Sequence, residues 1–133
     1  MARRLILDTG VLIAAERERL LLARHVSADD DVVLSSITVA ELQAGVEFAS
    51  DEHRQAREAF VLNIVTSLPV EPYGSRAALA HARLLAHVQR SGRHRGAHDL
   101  IVAATAIATG RIILTTDRRA RFDDLPGVEC VVV

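Results

Sequence analysis

The chain has 133 residues, half of them hydrophobic, which is enough for one core and too few for two ordinary domains. Its 16 basic and 17 acidic residues nearly cancel, excluding both a disordered acidic chain and a bulk polycation. Every basic residue is arginine, so a mechanism that requires a catalytic or phosphate-binding lysine is excluded, and the single cysteine, Cys130, excludes an internal disulfide and the usual thiolate zinc sites.

Residues 5–7 are apolar and stop at Asp8 and Thr9, a strand ending in a helix-capping pair. A helix is expected from Val11 on, continuing through a leucine-rich, charged stretch to about His25, and Asp29, Asp30 and Asp31 read as a solvated turn. A short strand over residues 32–34 follows, with Ser35, Ser36 and Thr38 as caps for a helix carrying Val39, Leu42 and Val46 at helical spacing, and Glu41 beside them. Residues 51–65 read as another helix, and Pro69 and Pro72 bracket a strand centred on Val70. Ala78, Ala82 and Leu85 give the period of a helix over residues 75–90, ended by Ser91 and Gly92. An Arg- and His-rich loop leads to Asp99, in the first turn or at the cap of an alanine-rich helix ending at Gly110. A buried strand over residues 112–114 ends in Thr115, Thr116 and Asp117, and residues 128–133 give a last strand that places Cys130 in the core.

Strands that alternate with helices and are apolar without clean alternation predict an α/β domain, a parallel sheet flanked by helices on both faces, occupying residues 1–133. Arg3 and Arg4 precede an apolar stretch that Asp8 soon interrupts, and residues 100–108 are too few to span a bilayer, so a soluble cytoplasmic protein is expected.

Asp8, Glu41, Asp99 and Asp117 occupy matching places, each at the end of an apolar run or early in the helix after it. In an open α/β sheet such places share one edge. Each acid alone has an ordinary reading as a cap, a turn residue or a solvated side chain. Four carboxylates that converge repel one another, and a divalent cation neutralises that repulsion. The pattern therefore predicts a hard-metal site and, as the first reaction to consider, metal-assisted phosphodiester chemistry.

LILDTGVLIA, SSITVAEL, HDLIVAATAIATG and IILTTD, in this order, resemble the successive signature segments of the PIN-domain family, and most closely those of its VapC-type toxin branch. The resemblance implies a sheet of about five parallel strands and an endoribonuclease in which Asp8, Glu41, Asp99 and Asp117 bind Mg2+ or Mn2+. It assigns Thr115 or Thr116 to the hydroxyl that helps order a metal-bound water. It also implies a cognate antitoxin protein, an RNA substrate of the transfer or ribosomal class, and a homodimer. Two positions depart from the pattern: Gly10 stands where relatives often carry Ser or Asn, and Ala120 where many carry a further acid.

RNA has to be held as well as cut. No acid lies between Pro72 and His98, a stretch that includes Arg83, Arg90, Arg93 and Arg95, and Arg118 and Arg119 directly follow the fourth acid. These arginines are the expected phosphate contacts, and with three Phe, one Tyr and no Trp in the chain, base-stacking platforms are not expected. For His98, a structural or solvated role is favoured over contact with metal or phosphate. Phosphoaspartate enzymes fail on a missing second aspartate and a missing lysine, and nucleotide hydrolases of the glycine-loop type fail on a missing Gly-Lys. The non-catalytic alternative is a weakly active PIN module that binds RNA or a partner.

Overall fold

A computed structural model describes residues 2–133. Five strands, β1 (Arg4–Leu7), β2 (Asp31–Ser35), β3 (Val70–Glu71), β4 (Ile112–Thr115) and β5 (Cys130–Val132), pair in parallel in the order β3-β2-β1-β4-β5. The helices are α1 (Thr9–Glu16), α2 (Ser36–Glu47), α3 (Asp51–Ser67), α4 (Ser75–Ser91) and α5 (Ala97–Thr109), with short 3-10 turns at Leu22–Arg24, Arg118–Ala120 and Phe122–Asp124.

Successive strand residues point to opposite faces, and both faces are covered. On one face Ile6, Val33 and Ile113 pack with Leu84, Leu100, Val102 and Phe122. On the other Leu7, Leu34 and Leu114 pack with Val11, Leu12, Leu42, Val46 and Val61. Each such side chain contributes about 1.5–3 kcal/mol when fully buried, and these two layers hold the central strands in place. The chain runs outward from β1 through β2 to β3, then returns to the other side of β1 with β4 and β5. The direction reverses between β1 and β4, and in such sheets ligands bind beyond the carboxyl ends of the strands at that point.

Three expectations need correction. The first helix ends at Glu16 rather than near His25. Glu18 adopts a left-handed conformation (φ 58°), and the Arg19 amide donates to the Ala14 carbonyl (2.9 Å), turning the chain back so that Leu20, Leu22 and Val26 pack on the core. The buried stripe of α4 is Ala77, Ala80 and Leu84 rather than Ala78, Ala82 and Leu85, the last two of which are exposed. Two adjacent leucines make either phase equally periodic, and packing against α5 selects one.

The acids at 29–31 are the third. Only Asp29 is an exposed turn residue. The Asp30 side chain is 1% exposed and accepts from the Arg3 amide (2.8 Å), the Arg3 guanidinium (3.0 Å) and the Ser27 amide (2.9 Å). These bonds, the Arg3 guanidinium foremost, hold its carboxyl far below the usual range. Asp31 opens β2 and pairs with Arg4 and with the buried Arg111. No helix among the described residues is long and apolar enough to cross a membrane.

Candidate active site at the carboxyl edge of the sheet

Asp8 ends β1 and caps α1, so the strand that is buried on both faces fixes its position. Its carboxylate accepts from the Thr9 amide (2.9 Å) and, through Oδ2, from the Thr115 hydroxyl (2.9 Å). Thr115, fully buried at the end of β4, accepts in turn from the Asp117 amide (3.0 Å). One hydroxyl therefore spans the reversal point and sets Asp8 and Asp117 in register. Thr9 extends the chain of contacts by donating its hydroxyl to Glu41 Oε1 (2.8 Å) on the second turn of α2, a helix capped by Ser35. Glu41 Oε2 lies 3.4 Å from His98 Nδ1, in a side chain 56% exposed, and the next residue, Asp99, stands in the first turn of α5. Asp117 is exposed and caps the following 3-10 turn, its Oδ1 accepting from the amides of Arg119 (2.9 Å) and Ala120 (3.2 Å).

Asp8 and Asp99 feel the charges of the other acids. Burial pushes the Asp8 carboxyl up; its hydrogen bonds to Thr115 and Thr9 pull it back, and the charges of Glu41 and Asp117 raise it again. Burial, followed by the charges of Asp8, Asp117 and Glu41, pushes Asp99 up to about 6, against a smaller opposing effect of His98. Among the described residues no three His, Cys, Asp or Glu side chains stand close enough to grip one ion directly. The arrangement is an open row of hard oxygen donors rather than the closed four-ligand cage of structural zinc. It fits a cation held by one or two carboxylates that keeps several waters, the habit of Mg2+.

The two threonines ahead of Asp117 divide their roles. Thr115 aligns acids, whereas Thr116 lies against Gly10: a Cβ on Gly10 would stand 2.7 Å from the Thr116 hydroxyl oxygen. The absence of a side chain at position 10 is thus matched by a hydroxyl supplied from across the β1–β4 junction. Ala120 is buried, in no position to present a further charge.

The expected phosphate contacts separate in the same way. Arg83, Arg90, Arg118 and Arg119 are exposed and form no ion pair among the described residues. Arg95 instead donates to the carbonyls of Ala120 (2.5 Å) and Arg121 (2.6 Å), and Arg93 lies 3.8 Å from Asp124. Both tie the loop before α5 to the segment after Asp117, and Arg121 in that segment is left-handed (φ 48°). Sequence reasoning overlooked Thr9 as the support of Glu41 and Asp30 as an anchor; the Asp-Thr pair at a strand end signalled the first, and no local pattern distinguished Asp30 from its neighbours.

The PIN domain model matches residues 5–128. Ribonuclease VapC5 of Mycobacterium tuberculosis is 33% identical over 129 residues, covering 96% of this chain and 94% of the relative. Ribonuclease VapC of Rickettsia bellii is 30% identical over 130 residues, 97% of this chain and 96% of the relative. Among solved structures, VapBC-5 from M. tuberculosis superposes with a TM-score of 0.79 at 32% identity, and VapBC2 from Rickettsia felis, bound to a promoter DNA fragment, with 0.88 at 19%, each covering 98% of both chains. The second is a likeness of fold alone. With four acids at the reversal point of a five-stranded parallel sheet and these matches along almost its whole length, the chain belongs to the PIN-domain family, in its VapC branch.

Proposed function

We propose that this protein is an endoribonuclease dependent on Mg2+ or Mn2+, the toxin of a toxin–antitoxin pair, acting as one domain over residues 1–133 in the cytoplasm. The observation that carries the reading is the convergence of Asp8, Glu41, Asp99 and Asp117 on one edge, where burial and then the charges of the other three acids push the Asp99 carboxyl up. Relatives named ribonucleases support RNA as the substrate, and VapBC complexes among the structural neighbours support a cognate antitoxin. A homodimer follows from the family resemblance.

Asp8 and Asp99 are the first metal ligands in this reading, with Glu41 and Asp117 completing the site. A divalent ion held there would supply a water of lowered pKa and would offset charge on the phosphoryl oxygens. The chain's own groups do the rest. The Thr9 amide and Thr115 hydroxyl fix the rotation of the Asp8 carboxylate, and the Thr9 hydroxyl fixes that of Glu41. No protein nucleophile is required, and the products carry a 5′-phosphate and a 3′-hydroxyl. Arg83, Arg90, Arg118 and Arg119 are free to contact phosphates, while Arg93 and Arg95 brace the loops that carry Asp99 and Asp117.

Asp99→Asn should fold, bind RNA and fail to cut it. Wild-type cleavage that persists unchanged in EDTA, or wild-type cleavage by Asp99→Asn, contradicts the assignment. A protein that binds RNA yet gives no metal-dependent product is the non-catalytic module instead.

A further inference from the structure

We propose that a groove lined by Thr116, Arg19, Arg24 and His25, joined to the acidic edge through Thr116, holds the sugar–phosphate backbone of the RNA strand beside the bond that is cut. This rests on the ribonuclease reading above. The groove encloses about 460 Å³ between the α1–β2 connection and the carboxyl ends of β4 and β5.

Two features connect it to the acidic edge. Thr116 lies in the groove and directly precedes Asp117. Its hydroxyl also rests against Gly10, two residues after Asp8, where a Cβ would approach to 2.7 Å. Thr116 therefore links the groove to the acidic edge, one residue before Asp117 and against Gly10.

The basic wall is held rigid by contacts distant from any catalytic group. Left-handed Glu18 (φ 58°) and the bond from the Arg19 amide to Ala14 end α1 abruptly. A 3-10 turn over Leu22–Arg24 follows, with Leu20, Leu22 and Val26 anchored in the core. The Arg3 guanidinium then donates to the His25 carbonyl (2.6 Å) while it pairs with Asp30 (3.0 Å), which also accepts from the Ser27 amide. This clamp ties His25, Ser27 and Asp30 to Arg3, directly after Arg24.

The side chains on that wall remain uncommitted. Arg19 and Arg24 are exposed and form no ion pair among the described residues, whereas Arg3, Arg4, Arg54, Arg111 and Arg121 all do. Among the side chains that line the groove, two arginines and a histidine stand against one acid, Glu18. Cations on a fixed backbone, open to solvent and adjacent to a site for phosphodiester chemistry, match a polyanionic strand. Leu21, 60% exposed at the rim, offers apolar surface to a ribose.

The test compares wild type with Arg19→Ala/Arg24→Ala, measuring the anisotropy of a short fluorescent single-stranded RNA in EDTA across a series of monovalent salt concentrations. Because neither side chain forms an ion pair or hydrogen bond among the described residues, the melting temperature should not move. The proposal expects affinity to fall about tenfold and the slope of log K against log salt to shrink by about 1.4, two phosphates at about 0.7 each. With metal present, KM should rise while kcat holds, and Arg19→Glu/Arg24→Glu should deepen the loss. Unchanged affinity and slope in a wild type that does bind and cut RNA overturn the groove alone. Loss of antitoxin binding with RNA binding intact also overturns it, since the groove would then serve a protein. A wild type that neither binds nor cuts RNA overturns the ribonuclease reading itself.

Discussion

The two ends of the central strands treat acidic residues in opposite ways. At the amino end Asp30 and Asp31 each face an arginine: Arg3 closes on Asp30, while Arg4 and the buried Arg111 close on Asp31, with Arg111 also reaching Glu71 at 3.8 Å. At the carboxyl end Asp8, Glu41 and Asp117 have hydroxyls, amides and one histidine for partners, and among the described residues no arginine side chain pairs with them or with Asp99. The acid of the first end that shifts, Asp30, is pulled down, whereas Asp8 and Asp99 at the second are pushed up. One end uses its carboxylates to bind the sheet together. The other keeps them short of positive charge, and a cation would supply it.

The comparison breaks most severely at Arg111. Its guanidinium, 5% exposed, donates to the Asp31 carbonyl (3.0 Å) as well as to the Asp31 carboxylate. Arg111→Ala should cost about 3 kcal/mol, the lower part of the range for breaking a buried pair, because half-exposed Asp31 can rehydrate. Urea unfolding measures it, and a loss below about 1 kcal/mol would mean that the amino end is not held by this network.

Asp99→Asn should act in the opposite sense on stability while lowering metal-dependent cleavage by at least about a hundredfold. Without metal, a carboxyl raised to about 6 makes the folded protein bind more protons than the unfolded chain, for which the ordinary value is about 3.9. The stability tied to that proton is fully present below about 4 and is lost as pH rises through about 6. Asp99→Asn should therefore raise the metal-free melting temperature at neutral pH, and the gain should vanish as pH falls towards 4. Asp30→Asn should do the reverse: a lowered carboxyl contributes stability above about 3.9 that is lost as pH falls below it, so this variant should be less stable at neutral pH. Melting curves at several pH values read both signs, and equal signs would remove the contrast between the two ends.

Thr115→Val should cost about 1–3 kcal/mol, because it leaves Asp8 Oδ2 and the Asp117 amide without their shared partner. Cleavage should fall with it, and Thr115→Ser should restore both; a fully active Thr115→Val would mean that alignment through this hydroxyl is not needed. The smallest effect is at Glu18, whose left-handed backbone a glycine adopts without steric penalty. Glu18→Gly should raise stability by about 1 kcal/mol in thermal unfolding, and a loss would mean that the Glu18 side chain stabilises the turn.

Much of this organisation is legible in the sequence because it depends on order along the chain. Each short apolar run ends at the residue that the strand then delivers to the carboxyl edge, so Asp8 and Asp117 could be placed without coordinates. Asp99 could be placed because it follows the Arg- and His-rich loop and opens the almost wholly apolar helix that Gly110 ends. What could not be read depends on contacts between distant segments. Nothing near Asp30 distinguishes it from Asp29 until Arg3, 27 residues away, closes on it. The choice between Leu84 and Leu85 rests on packing against α5, and the turn at Glu18 rests on Leu20 and Leu22 finding the core. Arg95 reads as a phosphate contact until its Nη1 is seen donating to two carbonyls 25 and 26 residues away.

The central claim is that the carboxyl-edge acids form a site for a divalent cation. Calorimetric titration of Mn2+ into wild type and into Asp8→Asn/Asp99→Asn tests it without any RNA. Saturable binding by wild type that is lost in the double variant is the predicted result. Equal binding by both proteins, or none by wild type, would contradict it.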